Sequence, residues 1–77
     1  MVKIYGDFIT LGQLLKKKDY ISSGSYAKLF LHENDILVND EKETRRGRKL
    51  YPNDVVVINN NKILIEHEDW KTFFNKF

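Results

Sequence analysis

A chain of 77 residues and 9.2 kDa has room for one small domain, which on folding removes only about 60% of the unfolded chain's surface from water. That excludes a second, catalytic domain, and the absence of cysteine excludes both a disulfide framework and a thiolate zinc site. Thirteen Lys and Arg against eleven Asp and Glu leave only +2, too little to diagnose a polyanionic partner from the total, so the distribution of charge has to be read instead.

Val2 to Tyr5 alternates weakly between apolar and polar residues and predicts a short strand, which Gly6-Asp7 turns away from. Thr10 then offers a helix cap: its hydroxyl can bond a free backbone N–H, and Gln13 can return the bond as a capping box. Ile9 and Leu14 stand at hydrophobic-staple spacing. Leu11, Leu14 and Leu15 form a one-sided apolar stripe, and Lys16, Lys17 and Lys18 place positive charge at the C-terminal turn, where the helix dipole favours it. After a connector from Asp19 to Gly24, a second helix is expected from about Ser25 to Glu33, with Ser22, Ser23, Gly24 and Ser25 as candidate caps. Ala27, Phe30 and Leu31 repeat the apolar spacing, and Asn34 is expected to end this helix in the left-handed conformation. Helices this short need tertiary support, which predicts an αα-hairpin packed on a sheet.

The period then changes to two. Ile36-Leu37-Val38 reads as a strand, Asn39-Asp40 as a tight turn, and Glu41-Lys42-Glu43 as its partner. A charged loop follows, then a turn at Pro52 and the β-branched strand Val55-Val56-Val57-Ile58. Asn59-Asn60-Asn61 predicts a second hairpin into Ile63-Leu64-Ile65. Trp70, Phe73, Phe74 and Phe77 fall at helical spacing behind Glu68 and Asp69 and predict a closing third helix.

Five bases (Lys42, Arg45, Arg46, Arg48, Lys49) and one acid (Glu43) give the window from Lys42 to Lys49 a charge of 5 − 1 = +4, so the remainder sums to 2 − 4 = −2. Arginine forks suit phosphate oxygens, and Gly47 in their midst lets the backbone bend or approach a ligand. A bare charge cluster is equally the mark of a solvated loop. Position favours phosphate, because Lys28 on the second helix can face the same side, and Ser25 and Tyr26 open that helix with a hydroxyl and a ring.

Quoted in order, Ile9-Thr10-Leu11-Gly12-Gln13, Ala27-Lys28-Leu29-Phe30-Leu31, Ile36-Leu37-Val38-Asn39-Asp40-Glu41 and Glu43-Thr44-Arg45-Arg46-Gly47-Arg48-Lys49-Leu50-Tyr51-Pro52-Asn53-Asp54-Val55-Val56 resemble the YaaA family of bacterial stand-alone RNA-binding domains. That family lies within the αL-motif superfamily of small-subunit ribosomal protein four. The resemblance runs from Ile9 to Ile58, and Thr44 to Tyr51 is its most specific part. It implies an α+β fold: an αL RNA-binding motif, two short packed helices on a small, mostly antiparallel sheet; the C-terminal helix expected from the spacing of Trp70 to Phe77 lies outside the resemblance. It also implies a non-catalytic module binding ribosomal RNA or a ribosomal precursor during ribosome assembly, held across the second helix and the basic loop. Lys28, Arg45, Arg46, Arg48 and Lys49 match the family's basic positions, and Ser25 and Tyr26 complete the expected RNA-binding set. Asn34, Asp40 and Asn53 stand where relatives usually carry glycine, and Ser25 replaces another at the helix start.

An enzyme would need a constellation, and His32, His67 and the scattered serines have no motif around them. His67 lies among Glu66, Glu68 and Asp69, but adjacent residues rarely converge on one ion, so neither a metal nor a cofactor is expected. No apolar run approaches the roughly eighteen residues of a membrane span, and Met1 to Asp7 lacks a signal peptide's apolar stretch. The sequence therefore reads as one cytoplasmic domain over 1–77, monomeric, with RNA as partner and neither membrane nor small-molecule substrate. The rival reading is a protein-interaction module that docks through the C-terminal aromatic helix.

Overall fold

The computed structural model describes residues 2–67. The helix expected around Trp70 to Phe77 lies outside them. Strand β1 (Val2–Ile4) finds its partner at the far end of the described chain, pairing in parallel with β7 (Asn61–His67), Val2 opposite Ile65 and Ile4 opposite His67. The remaining ladders are antiparallel: β7 with β6 (Val55–Ile58), β6 with β3 (Ile36–Val38), and β3 with β4 (Glu41–Lys42). The five-stranded order is β1-β7-β6-β3-β4, the mostly antiparallel sheet of an α+β fold.

Side chains alternate across a strand, so one face collects Val2, Ile4, Ile36, Val38, Val56, Ile58, Ile63 and Ile65, all buried in a single cluster. The same cluster receives Leu11, Leu14 and Leu15 from helix α1 (Leu11–Lys17), and Ala27 and Leu31 from helix α2 (Ala27–Glu33). These are the stripes that helical spacing predicts. The capping box at Thr10 also forms: the Gln13 N–H donates to the Thr10 hydroxyl at 3.2 Å, and the Thr10 N–H donates to Gln13 Oε1 at 2.9 Å.

Among the described residues, every left-handed backbone position is an Asn or an Asp. Asn39 and Asp40 link β3 to β4 with φ of 51° and 69°, and Asn59 and Asn60 link β6 to β7 with φ of 48° and 71°. Two consecutive left-handed residues are what a type I′ hairpin turn requires. None of the four glycines has a positive φ.

Three expectations need correction. Asn34 is extended (φ −124°), not left-handed: its side-chain amide donates to the Phe30 carbonyl at 2.9 Å, capping the helix end while the backbone proceeds straight into β3. The second helix does not begin at Ser25, because Gly24–Tyr26 forms a 3₁₀ turn and the α-helix begins at Ala27. Ser23 stands at the cap position of that turn without a capping bond; its hydroxyl is 2.8 Å from that of Ser25, so the two serines satisfy each other. A further two-stranded ladder, unanticipated, joins β2 (Ile9–Thr10) to β5 (Lys49–Leu50), with Ile9 opposite Leu50 and Thr10 opposite Lys49.

Candidate nucleic-acid interface

The charged segment between β4 and β5 is held at both ends and in the middle. At its start the Glu43 N–H donates to the Ile36 carbonyl at 3.0 Å, and at its end Leu50 is fully buried. In between, the first two amides of α1 reach across: Leu11 N–H donates to the Arg48 carbonyl and Gly12 N–H to the Arg46 carbonyl, both at 2.8 Å. Helix N-termini carry unsatisfied N–H groups, and here the basic loop satisfies two of them. The close approach runs through Gly12, where an added Cβ would sit 3.4 Å from the Arg46 carbonyl oxygen and 3.8 Å from the Ala27 Cβ.

Glu43 organises the side chains. It is 6% exposed and is the buried polar residue of the described structure. One carboxylate oxygen accepts from the Thr44 and Arg45 backbone N–H groups and from Arg45 Nε; the other accepts from Arg45 Nη2 and Arg48 Nη1, all at 3.1–3.2 Å. The Arg45 side-chain bonds, outweighing the opposing effect of burial and helped by the Arg45 backbone bond and Arg48, lower the Glu43 pKa from 4.5 to about 2. The same carboxylate raises the pKa of Arg45. Arg45 nonetheless keeps 74% of its side chain exposed and Arg48 32%, so the carboxylate steers two guanidiniums that still meet solvent.

Of the residues expected to bind RNA, Ser25, Lys28, Arg45 and Arg46 line one groove of about 510 Å³, together with Thr44 and Gly47. Arg46 Nη1 reaches the Gly24 carbonyl at 3.4 Å, linking the loop to the 3₁₀ turn. Arg48 and Lys49 fall on the other side of the loop, where with Arg45, Gly47 and Tyr51 they line a second groove of about 520 Å³. Tyr26 is drawn into neither. It is 55% exposed and lines a separate concavity with Tyr20, Leu29 and Phe30. Gly47 lines both of these grooves and a third beside α1, has no positive φ, and would carry a Cβ into open space, so the fold itself does not demand glycine there.

In the sequence Glu43 reads as a strand residue, a part of the resemblance and one negative charge among five positive ones, and nothing there but its placement two residues before Arg45 and five before Arg48 marks it as the organiser of the arginines. Phe8 was passed over, and Tyr51 was noticed only as part of the resemblance. His32 and His67 are both exposed, and no group of three or more His, Asp or Glu among the described residues could hold a metal ion. No helix among these residues is long and apolar enough to cross a membrane.

Two short helices on a mostly antiparallel sheet, with a cationic loop bonded to the first helix and to the 3₁₀ turn that leads into the second, define a class. The chain belongs to the S4 domain family, which matches residues 2–66, and is an S4-type RNA-binding domain. It is 58% identical over 57 residues, covering 74% of this chain and 80% of the relative, to the probable ribosome maturation protein RlbA of Bacillus subtilis (strain 168). No solved structure matches the chain.

Proposed function

We propose that this protein is a non-catalytic RNA-binding module that engages ribosomal RNA or a ribosomal subunit precursor during ribosome assembly. It acts in the cytoplasm as a single monomeric domain, without cofactor or small-molecule substrate. The observation that carries the reading is the meeting of Lys28, Arg45 and Arg46 around one groove, with Arg48 and Lys49 on the other flank of the same loop. Five cations against the one carboxylate of Glu43 leave a local charge of 5 − 1 = +4. Guanidiniums held by a buried carboxylate are already ordered before a polyanion arrives, which lowers the entropic cost of ordering them on binding. The ribosomal target is supported by the name of the Bacillus relative.

Cross-linking in cells followed by sequencing of the bound RNA tests the target directly, and recovery of ribosomal RNA is expected. In vitro, about five phosphate contacts correspond to a log–log salt slope of about −3.5 to −4.5. A flat salt response, or cross-links scattered over messenger RNA, overturns the reading.

A further inference from the structure

Loop residues line three grooves, and the one shared by Arg45, Gly47, Arg48, Lys49 and Tyr51 has a different chemistry. Beside Arg45, Arg48 and Lys49 stands Tyr51, 47% exposed, and against it Phe8, 40% exposed. Their ring centroids are 5.9 Å apart at 52°, and Lys49 Nζ lies 4.9 Å from the Phe8 centroid. Neither ring belongs to the buried hydrophobic core. A domain this small has every reason to bury large rings, yet these two remain at the surface next to its densest positive charge.

Their backbones are well fixed. Ile9 pairs with Leu50, and Phe8 and Tyr51 are the residues that directly adjoin this end of the two-stranded ladder. Beyond Tyr51 the chain turns with Asn53 at φ 78°. The Tyr51 N–H donates to Asp54 Oδ2 at 2.7 Å, the Asp54 N–H donates to the Tyr51 carbonyl at 3.0 Å, and the Asn53 N–H donates to the Ile65 carbonyl at 2.8 Å. Lys49 over Phe8 is a cation–π contact that holds the ammonium beside the rings.

We infer that Tyr51, buttressed by Phe8 and flanked by Lys49, Arg45 and Arg48, is a stacking platform for an unpaired nucleotide of the bound RNA. The inference rests on the loop being an RNA surface and adds the kind of RNA element it selects. Cations alone accept any phosphate backbone; a ring set among them accepts a base only where the base face is free, which a continuous duplex denies and a loop, bulge or end provides. An apolar protein partner does not fit, because seating it would strip water from three cations without supplying anions.

The test compares the full chain's affinity for a blunt RNA duplex and for the same duplex with a single-stranded overhang of about four nucleotides containing 2-aminopurine. The parent should bind the overhang RNA more tightly and change the fluorescence of the reporter base. Tyr51→Leu should remove that margin, a loss of about 5- to 100-fold by the usual strength of base–aromatic stacking. It should leave duplex affinity, salt slope and melting temperature unchanged. Tyr51→Phe should retain the margin, and Phe8→Leu should reduce it. Should Tyr51→Leu bind the overhang RNA as the parent does, or lose duplex and overhang binding equally, the platform is refuted while RNA binding stands. A parent that binds neither RNA removes the proposed function, and the platform with it.

Discussion

The two walls of the α2 groove are built by different physics. On one side the loop from Glu43 to Lys49 is anchored by a buried carboxylate with five hydrogen bonds and by two helix amides. On the other, the 3₁₀ turn Gly24–Tyr26 has no side-chain cap, no buried residue and an exposed serine pair. The first wall is held by many bonds; the second by few, among them the one from Arg46 to the Gly24 carbonyl. Order in this domain therefore follows the arginines, and the carboxylate that subtracts from the local charge is what gives them that order.

Glu43→Gln breaks the contrast most severely. Losing hydrogen bonds to charged groups at a buried site costs about 1.5–3 kcal/mol, or roughly 6–24 °C of melting temperature for a domain of this size. RNA affinity should fall although the net charge rises by one. Glu41→Gln, an exposed change of the same charge, is the control and should leave the melting temperature within a degree or two. A tighter-binding, equally stable Glu43→Gln would show that the loop needs charge alone.

Gly12→Val strikes the same wall from the helix side. With a Cβ already 3.4 Å from the Arg46 carbonyl, the added methyls must push the loop away, at about 1–3 kcal/mol. The loss should appear in thermal melts and in weaker RNA binding together.

Acid isolates the carboxylate. Because its pKa is lowered from 4.5 to about 2 in the folded state, its stabilisation is complete above pH 4.5 and is lost as pH falls toward 2. The stability gap between the parent and Glu43→Gln should narrow progressively across that window. A gap constant with pH would mean that packing, not charge, sets the cost.

On the sparsely bonded side effects should be smaller and separable from folding. Lys28→Ala should shallow the salt slope by about 0.7–0.9 while leaving the melting temperature unchanged. Ser25→Ala, which removes the exposed hydroxyl pair, should shift stability by less than about 0.5 kcal/mol.

How far this arrangement could be read in advance follows the range of the interactions. The capping box at Thr10 and Gln13 and the Asn39-Asp40 turn are closed within four residues, so residue order alone exposes them. The Ile9–Leu50 ladder and the Gly12 approach to Arg46 depend on segments more than thirty residues apart, and Ile9 looked complete as part of a staple. Glu43 was hidden differently: its partners are close in sequence, but its burial depends on how the loop folds over it. Tyr26 reads from the sequence as a ring at a helix start, and the 3₁₀ turn places it on a concavity with Tyr20, Leu29 and Phe30, apart from the grooves beside the loop. The arginines themselves were legible because their residue type and spacing carry the resemblance.

The parallel pairing of β1 with β7 has a kinetic consequence. It brings Val2 to Ile65, a separation of 65 − 2 = 63 residues, whereas the hairpins at Asn39-Asp40 and Asn59-Asn60 close across two-residue turns. Closure entropy grows by about 0.6 kcal/mol per doubling of loop length, so spanning the longer loop costs roughly 2–3 kcal/mol more than closing a hairpin. The hairpins should therefore form early and the edge strand dock late, after the folding barrier. Changes in Val2 to Ile4 should then speed unfolding while barely slowing folding, giving this edge of the sheet a control over the protein's lifetime that is separate from its rate of assembly.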